Sequence, residues 1–472
     1  MNPKIAERRF TRRILVFVYI IAVGSFVGLG MTPFVTRSIP YGEVIHATCC
    51  ITYSLQFVWW AIVWRWSRNM SHWLRIGILS IAATAAEIAY ARFLSPIWIL
   101  SHPALFVVET PIAQWVDRIT VFGLSWLLYL AVFSVVPQMD VVGWKRWRCS
   151  LVGCVVVLLL WVVGKQIEAS IAVDRLPFSV ALVQPHLRHT SDEIWEPWRE
   201  LIRLTDELVD DDGDVDLIVW PENSLSASDR SKMEQRIGQL SNMRLQSYNG
   251  PELKKNVTEF DMGSMVGRFG RQSAVKLLAG CVLLDVVRKE NFGLDVPQVQ
   301  RMNCACLWDS QNAVDSRPLQ VHAKLALIPL REYVPAFLCF EFVRNRFLSE
   351  ISLDELTPGE KFQLLEITDS NARKHQLAVA ICYESWLPWL PQYRTKKPVI
   401  AICHLIYDGD FAGYTAYTDR MLASIRLRAI ETRTWQLVCS CWAGSAIIDP
   451  RGRIVAQLTP VAGVLRNDHS IE

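Results

Sequence analysis

Residues 377–388 read LAVAICYESWLP, a run of five apolar residues that leads into a cysteine and, two positions later, a glutamate. A short apolar run that ends in polar residues is typical of a buried strand. A cysteine can act as a nucleophile when a base or a cation activates its thiol. The stretch therefore predicts a buried strand that presents Cys382 and Glu384 at its end.

Similar runs recur through the C-terminal part of the chain, and they alternate with helical patterns. They predict a layered α/β or α+β domain over residues 177–472, with polar residues at the strand ends free to form a site. The helix of this domain is expected at Met421–Thr432. The other strands are expected at Phe178–Val183, Asp216–Trp220, Val275–Leu284, Val399–Cys403, Gln436–Cys441 and Ser445–Asp449.

The N-terminal third has a different composition. The chain has 472 residues, enough for two or three domains, and its 51% hydrophobic content is high for a soluble protein. About 20 apolar residues are needed for a helix to cross a bilayer core of roughly 30 Å. Residues 1–170 are therefore predicted to form a transmembrane bundle of about five helices. The spans are expected at Ile14–Val35, Val44–Trp64, Ile76–Ala91, Ile119–Pro137 and Cys149–Gly164.

Two features of this region depart from plain spans. The run from Ile76 carries Glu87, and a carboxylate at that depth usually turns toward a bundle interior. The segment from Phe93 to Trp115 is apolar but contains three prolines, which favours an interfacial or re-entrant segment. The first run follows a basic cluster, as a signal peptide would, but no small-residue cleavage site follows it, so a retained helix is expected.

The positions of Lys and Arg predict the orientation in the membrane. Basic residues occupy alternate connections: the N-terminal cluster, then Arg65, Arg68 and Arg75, then Lys145, Arg146 and Arg148. Positively charged connections stay in the cytoplasm. Basic residues on alternate connections place the N-terminus in the cytoplasm. Five spans then predict a multi-pass protein of the bacterial inner membrane, with everything after Gly164 in the periplasm.

Two more stretches carry chemistry at or near predicted strand ends. Glu222 follows a strand in DLIVWPENS, and VHAKLALIPLREYVP holds Lys324 and, eight residues on, Glu332. Acyl transfer by a thiol needs a base for the thiol and a positive or donor group for the oxyanion. Glu, Lys and Cys can supply these roles together. A lone strand-end cysteine is more often a small buried hydrophobic residue, with roughly one chance in ten of catalysis.

Taken together, these motifs resemble the nitrilase (carbon-nitrogen hydrolase) superfamily, an αββα sandwich with a Glu-Lys-Cys triad. VALVQP, LIPLREYVPAF, ICYESWLP and IIDPRGRIVAQL are similar to one branch in particular, the apolipoprotein N-acyltransferases, which place this domain behind a membrane bundle. The motif resemblance begins near residue 178. It implies an N-terminal transmembrane bundle followed by a nitrilase-like sandwich.

The resemblance also implies roles for individual residues. Cys382 would be the nucleophile, Glu222 the general base and Lys324 the stabiliser of the oxyanion. Glu332, Tyr383 and Glu384 would support the site or bind substrate. The acyl donor would be a membrane phospholipid, and the acceptor would be the N-terminal amine of a lipoprotein.

The match is incomplete in one loop. Where the acyltransferases have Ser-Asn-(Asp or Thr)-x-Trp-Phe-Gly, this chain has CHLIYDG from Cys403 to Gly409. The difference keeps two alternatives open: a TraB-type conjugal-transfer protein, or a membrane-tethered amidase of the same superfamily with a different substrate. A non-catalytic envelope component is disfavoured because all three triad residues are present.

Other patterns predict no additional site. The net charge of +3 gives no case for nucleic acid, and no cofactor is expected. The acidic run at 209–216 lacks the first ligand of an EF-hand loop. The CxC pairs at 304/306 and 439/441 favour core packing over zinc, since both members share a strand face. No histidine has ligand spacing. The Arg-rich helix near residue 428 favours a salt-bridged packing face.

Overall fold

The structure is a computed structural model that describes the greater part of the chain. The described residues are 55–56, 58–93, 102–135, 144–186, 197–210, 215–224, 275–291, 294–309, 319–329, 331–333, 356–390, 397–412, 415–458 and 461–467. The predicted span Ile14–Val35 and most of Val44–Trp64 lie outside them, as do four residues of the acidic run.

The described residues divide into two compact units. The first includes those of 1–172 together with 414–431, and the second includes those of 173–413 and 432–472. The predicted division at residues 170 and 177 remains a prediction.

Three long helices dominate the first unit: α1 (His72–Phe93), α2 (Val116–Val135) and α3 (Trp144–Ser170). Among the described residues, three helical stretches are long and apolar enough to cross a membrane, at His72–Arg92, Pro111–Ser134 and Ser150–Ser170. The last three predicted spans are therefore confirmed as helices of spanning length.

Two short 3₁₀ helices, Pro103–Val107 and Pro111–Trp115, precede α2 where the prolines predicted a segment that does not span. The indole of Trp115 donates a hydrogen bond to the Leu160 carbonyl of α3 at 2.9 Å. A Cβ added at Gly164 would lie 2.1 Å from the Pro111 carbonyl oxygen, so only glycine permits this approach of α3 to the second 3₁₀ helix.

Glu87 is buried inside the first unit, in agreement with the expected inward orientation. The Ser125 hydroxyl of α2 donates a hydrogen bond to its carboxylate at 2.7 Å. This contact gives a polar group in an apolar bundle a partner, which burial requires.

Helix α5 (Thr415–Thr432) also belongs mostly to the first unit, and it begins six residues before its predicted start. Leu427 and Ile430 join a buried cluster with Ala104 and Ile112. Arg426 binds Glu109 through both guanidinium nitrogens, and Arg428 binds Glu431. The prediction of a salt-bridged packing face is thus confirmed.

The second unit contains two six-stranded sheets. The strands of the first sheet are β1 Val180–Gln184, β2 Leu217–Val219, β3 Lys276–Asn291, β4 Leu294–Asp309, β5 Gln320–Ala323 and β12 Gly463–Arg466. Those of the second are β6 Leu365–Thr368, β7 Lys374–Ile381, β8 Ala401–Ile406, β9 Trp435–Ser440, β10 Ala446–Ile448 and β11 Ile454–Gln457. The first sheet has the order β12-β1-β2-β3-β4-β5, and the second has the order β11-β10-β9-β8-β7-β6. Strands β1, β2 and β3 run parallel in the first sheet, as do β7, β8 and β9 in the second.

The two sheets pack face to face. One buried cluster draws Leu182 and Val219 from the first sheet and Val379 and Leu405 from the second, so it forms the core between them. Helix α4 (Pro197–Asp210) packs on the other face of the first sheet through three leucines at helical spacing, Leu201, Leu204 and Leu208. Parallel central strands bring their carboxyl ends together, and ligands of such sheets bind at that edge.

Candidate active site

Cys382 directly follows β7 and begins the 3₁₀ helix Cys382–Trp386. Its backbone φ is +49°, a left-handed conformation that is uncommon for residues other than glycine. Such strained residues cluster at functional sites. The side chain is buried, and its Sγ lies 4.0 Å from the Tyr407 carbonyl oxygen at the end of β8.

Lys324, which follows β5, lies between two carboxylates. Its Nζ is 2.8 Å from Glu332 Oε1 and 3.2 Å from Glu222 Oε1, and all three side chains are buried. The peptide N–H of Ile328 donates to the second oxygen of Glu332 at 2.7 Å. The structure therefore brings together the Glu and Lys residues that the sequence predicted from separate strand ends.

Glu222 is held by contacts from three other segments. Asn303 of β4 donates a hydrogen bond from Nδ2 to Glu222 Oε1 at 2.7 Å, and the Tyr407 N–H donates to Oε2 at 3.2 Å. A Cβ added at Gly280 of β3 would lie 2.5 Å from the Glu222 Cα. The sequence analysis missed Asn303 and Gly280, although a lone Asn in the apolar run MNCACLW was a detectable signal.

Electrostatics set the protonation states of the thiol and the amine. Burial and the Glu222 carboxylate, which the thiol contacts by a hydrogen bond, raise the pKa of Cys382 well above its ordinary value. Burial alone would lower the pKa of Lys324, but Glu222 and Glu332 outweigh it and raise this pKa. The resting site thus holds a neutral thiol beside a carboxylate and an ammonium group, and the thiol needs a base to become a nucleophile.

Glu384 is fully buried, and its carboxylate accepts hydrogen bonds from backbone N–H groups of two segments. Its Oε1 accepts hydrogen bonds from the peptide N–H groups of Leu325 (2.6 Å) and Ala326 (3.0 Å), and its Oε2 accepts one from Ile381 (2.9 Å). Burial raises the pKa of Glu384 to about 7, although these donors act in the opposite direction. Glu384 therefore ties the chain after Lys324 to the strand end that carries Cys382.

Tyr383 is buried beside the nucleophile and packs edge to face against Trp386, with ring centroids 6.1 Å apart. Burial raises the pKa of its phenol. The Lys324 ammonium acts to lower this pKa, and Glu332 acts to raise it. The structure therefore places all six predicted site residues in one region of the second unit.

The divergent stretch CHLIYDG was expected as a loop, but Cys403–Ile406 form the end of β8 and only Tyr407–Gly409 follow the strand. Asp408, which sequence analysis did not single out, is buried and accepts hydrogen bonds from the Ser440 hydroxyl (2.7 Å), the Trp442 N–H (2.8 Å) and the Ala443 N–H (3.2 Å). Burial raises its pKa to about 6. Asp408 thus fastens the turn after β9 to the loop whose Tyr407 contacts Glu222.

An ion pair joins two loops beside the site. Arg331, next to Glu332, binds Asp410, three residues beyond Tyr407. Partial burial would lower the pKa of Arg331, but Asp410 acts to raise it, and the net shift of this pKa is upward. The pair links the loop that carries Glu332 to the loop that carries Tyr407.

The cysteines of the two CxC pairs are buried in the second unit. Cys304 and Cys306 share one face of β4 in a buried cluster, Cys439 packs in the core between the sheets, and Cys441 lies just past the end of β9. His404 is buried and contacts Gln436 at 2.7 Å. Among the described residues, no group of three or more His, Cys, Asp or Glu side chains could hold a metal ion.

Two facing sheets, with a buried thiol at the carboxyl edge of their parallel strands, define an α/β sandwich protein with a candidate cysteine site. Residues 179–468 match the family described as carbon-nitrogen hydrolase. The chain therefore belongs to the carbon-nitrogen hydrolase family and is an enzyme of that family. The family match and the three apolar helices confirm the predicted fold class, a transmembrane bundle with a nitrilase-like αββα sandwich, and the chain is a membrane protein.

The chain is also similar to individual proteins at low sequence identity. The chain is 23% identical to an apolipoprotein N-acyltransferase of Chlorobaculum tepidum over 73% of its own length and 61% of that protein's length. It is 23% identical to one of Azotobacter vinelandii over 93% and 76% of the two lengths. The predicted resemblance to the apolipoprotein N-acyltransferases is thus confirmed.

Solved structures of the nitrilase superfamily are also similar. A Saccharomyces cerevisiae member of the superfamily is 17% identical, with a TM-score of 0.39 over 62% of this chain and 92% of that one. An amidase from a Nesterenkonia species is 16% identical, with a TM-score of 0.38 over 63% and 92%.

Proposed function

We propose that this protein is a membrane-bound acyltransferase that moves a fatty acyl group from a phospholipid, through a thioester on Cys382, to the N-terminal amine of a lipoprotein. One observation carries the proposal: a buried thiol in contact with Glu222, beside the Lys324 ammonium, in a chain that also has helices of spanning length. The names of the relatives support the choice of donor and acceptor class.

In the first half-reaction Glu222 takes the thiol proton, and Sγ attacks the carbonyl carbon of the phospholipid ester. The oxyanion forms beside the Lys324 ammonium, whose charge stabilises it. The intermediate collapses when the ester carbon-oxygen bond breaks. The departing alkoxide takes the proton from Glu222 and leaves as a lysophospholipid, so that the acyl group remains as a thioester.

In the second half-reaction the acceptor amine attacks the thioester. Glu222 takes a proton from the amine, and Lys324 again stabilises the oxyanion. The carbon-sulfur bond breaks, and the Cys382 thiolate recovers the proton from Glu222. Glu332 keeps Lys324 in place through its 2.8 Å contact, while Tyr383 and Glu384 shape the turn around the nucleophile.

The proposed location is the bacterial inner membrane, with several spans and the site on the periplasmic side. The basic connections support this orientation. A donor and an acceptor that are both anchored in the bilayer require an enzyme that is anchored there as well.

A tethered amidase is the second candidate, and the loop from Cys403 to Gly409 favours it. That loop differs in sequence from the acyltransferase pattern and is fastened by Asp408 next to Glu222. In this case water would resolve the acyl-enzyme in place of an amine. The TraB-type alternative would use the same residues on an unknown substrate.

The test is intact-protein mass spectrometry of the detergent-solubilised protein after incubation with phosphatidylethanolamine. We expect a gain of one fatty acyl mass that hydroxylamine removes, present in Cys403→Ser, a control at another buried cysteine, and absent from Cys382→Ala. Addition of a diacylglyceryl-cysteine peptide should discharge the thioester onto the peptide amine. A folded protein that gains no acyl mass would contradict the proposal, and discharge onto water alone would favour the amidase.

A further inference from the structure

Three cysteines lie together on the face of β3 and β4 that packs under helix α4. Cys281, Cys304 and Cys306 belong to the same buried cluster, and none is more than 3% exposed. This face is opposite to the one that supports Glu222. The proposed reaction uses none of the three thiols.

The sulfur of Cys281 lies very close to that of Cys306. In the register of the two strands Cys281 faces Cys304 directly, and Cys306 is the diagonal neighbour. The two sulfur atoms of Cys281 and Cys306 are nevertheless only 3.0 Å apart. A disulfide bond is about 2.05 Å long, so bond formation needs the sulfurs to close by about 1 Å.

We propose that Cys281 and Cys306 are a modification site, at which an oxidising environment forms a disulfide that cross-links β3 to β4 behind the candidate active site. A metal is not favoured here, because no group of ligating side chains among the described residues could hold one. The inference goes beyond the proposed reaction and does not depend on it.

The cross-link forms by thiol-disulfide exchange with an oxidised dithiol compound, such as glutathione disulfide. The thiolate of one cysteine attacks the external disulfide, and one external thiolate leaves. The second cysteine, as its thiolate, then attacks the mixed disulfide and expels the other external thiolate. The protein loses two protons and two electrons, and the external disulfide is reduced to two thiols.

The bridge would brace the strands that position the candidate base. Gly280, which lies against the Glu222 backbone, is the neighbour of Cys281, and Asn303, which binds the Glu222 carboxylate, is the neighbour of Cys304. Gly280 therefore flanks one end of the bridge directly, and Asn303 lies three residues before the other end on β4. A periplasmic location of this unit, as proposed above, would supply oxidising conditions.

The test uses the full-length detergent-solubilised protein, equilibrated with glutathione disulfide, denatured in N-ethylmaleimide and digested with trypsin without reduction. Peptide 277–288 contains only Cys281, while 302–324 contains Cys304 and Cys306. We expect these peptides linked in the wild type and in Cys304→Ser, a matched control on the same strand face, and unlinked in Cys306→Ser. Oxidation should also raise the midpoint of thermal unfolding of the wild type by roughly 5–10 °C. The midpoint of Cys306→Ser should not change on oxidation.

Each other outcome overturns the inference. If N-ethylmaleimide alkylates both Cys281 and Cys306 after oxidation, no bridge forms. A link that survives in Cys306→Ser but is lost in Cys304→Ser would assign the directly facing pair instead. If Cys306→Ser does not fold, fragmentation of the linked wild-type peptide decides, because Ala305 separates the two candidate sulfurs in mass. These readouts do not involve acylation, so they stay informative if the proposed function fails.

Discussion

The left-handed backbone of Cys382 explains how one thiol meets groups from two other segments. A strand that continued straight would carry the next side chain along the sheet, but the turn at φ +49° lifts Cys382 at the strand end toward Tyr407 and Glu222. Strain of this kind costs roughly 1–3 kcal/mol, and the surrounding contacts must offset it. Glu384, bound to the N–H of Ile381, is one such contact.

The first prediction concerns Glu222. Because the pKa of Cys382 is raised and its thiol is neutral, Glu222→Gln should slow formation of the acyl-enzyme by about 10²- to 10⁴-fold through the loss of a general base. The rate is measured by mass spectrometry in a time course with phosphatidylethanolamine. Glu366→Gln, the same change on the edge strand β6, is the control and should react at the wild-type rate. An unchanged rate for Glu222→Gln would rule out the assigned base.

The second prediction concerns Glu384 and pH. Glutamine cannot accept from all three peptide N–H groups, so Glu384→Gln should lower the free energy of unfolding by about 1–3 kcal/mol. The folded-state pKa is about 7, above the ordinary 4.5, so the folded protein binds more protons than the unfolded chain between these values. Stability from this group is therefore greatest below pH 4.5 and falls as pH rises to about 7.

This pH dependence can be isolated by difference. Thermal unfolding is followed for the wild type and Glu384→Gln from pH 4 to 8, and the gap between their midpoints is plotted against pH. We expect the gap to narrow as pH rises toward 7 and then to stay level. A gap that widens over this range would mean that the carboxylate is stabilised in its charged form.

The catalytic candidates of the site were predicted from the sequence, but several residues that hold them in position were not. Cys382, Glu222 and Lys324 stand in motifs that resemble a family, whereas Asn303 sits in a strand that was not predicted. Its role depends on pairing between β4 and its neighbours, which places it beside residues that are 81 and 29 positions away. A single sequence does not reveal such long-range partners.

At the scale of strands and loops, Gly280 governs where the turn of Glu222 can lie. Its N–H donates to the Pro221 carbonyl at 3.2 Å, and an added Cβ would meet three backbone atoms of residues 221–223. These atoms belong to the backbone, so the turn itself must move if a side chain is added.

The third prediction is that Gly280→Ala displaces Glu222 and slows acyl-enzyme formation by at least about tenfold, since a 1 Å misplacement can cost 10²-fold. Gly463→Ala on β12 is the matched control, because its added Cβ would meet only Leu458 at an ordinary 3.6 Å. Circular dichroism verifies that both variants fold. If Gly280→Ala forms the acyl-enzyme at the wild-type rate, the turn of Glu222 tolerates the added side chain and the prediction is wrong.

The fourth prediction concerns the ion pair between the loops. We expect Arg331→Ala and Asp410→Ala each to slow acylation, by about threefold to tenfold, because either change releases the loop of Glu332 from that of Tyr407. The double variant should be no slower than the worse single variant. Multiplication of the two effects in the double variant would mean that the residues act independently. Thermal midpoints should change little, because the Arg331 side chain is 41% exposed.

The predicted elements were those with strong apolar runs. Strands β1, β2, β3, β7, β8, β9 and β10 were predicted, and the bounds of β2, β9 and β10 differ by one residue at each end. Strand β3 extends seven residues beyond its predicted end. Strands β4, β5, β6, β11 and β12 and helix α4 were not predicted from the sequence. Four of these strands have four residues each, too few for an alternating pattern to stand out, and they are held by pairing with neighbours.

At the scale of the whole molecule, the contrast in composition between the two parts predicted a membrane region and an α/β region, and the described helices and sheets agree. Composition could not predict that α5 groups with the first unit, because its mixture of polar and apolar residues is that of an ordinary helix in a globular domain. The assembly of Glu222 with Lys324, which are 102 residues apart, came from family resemblance and not from local pattern.

The fifth prediction tests the orientation in the membrane. Helix α3 has a spanning window at Ser150–Ser170, so sites before residue 144 and after residue 170 must lie on opposite sides if it crosses. The positive-inside rule assigns the basic residues Lys145, Arg146 and Arg148 to the cytoplasm. We therefore expect alkaline phosphatase to be active when fused after residue 173 and inactive when fused after residue 140. Green fluorescent protein, fused at the same two positions, should give the opposite pattern. The reverse result at both sites would place the second unit in the cytoplasm, where a disulfide between Cys281 and Cys306 would stay reduced and a lipoprotein amine on the far side could not reach Cys382.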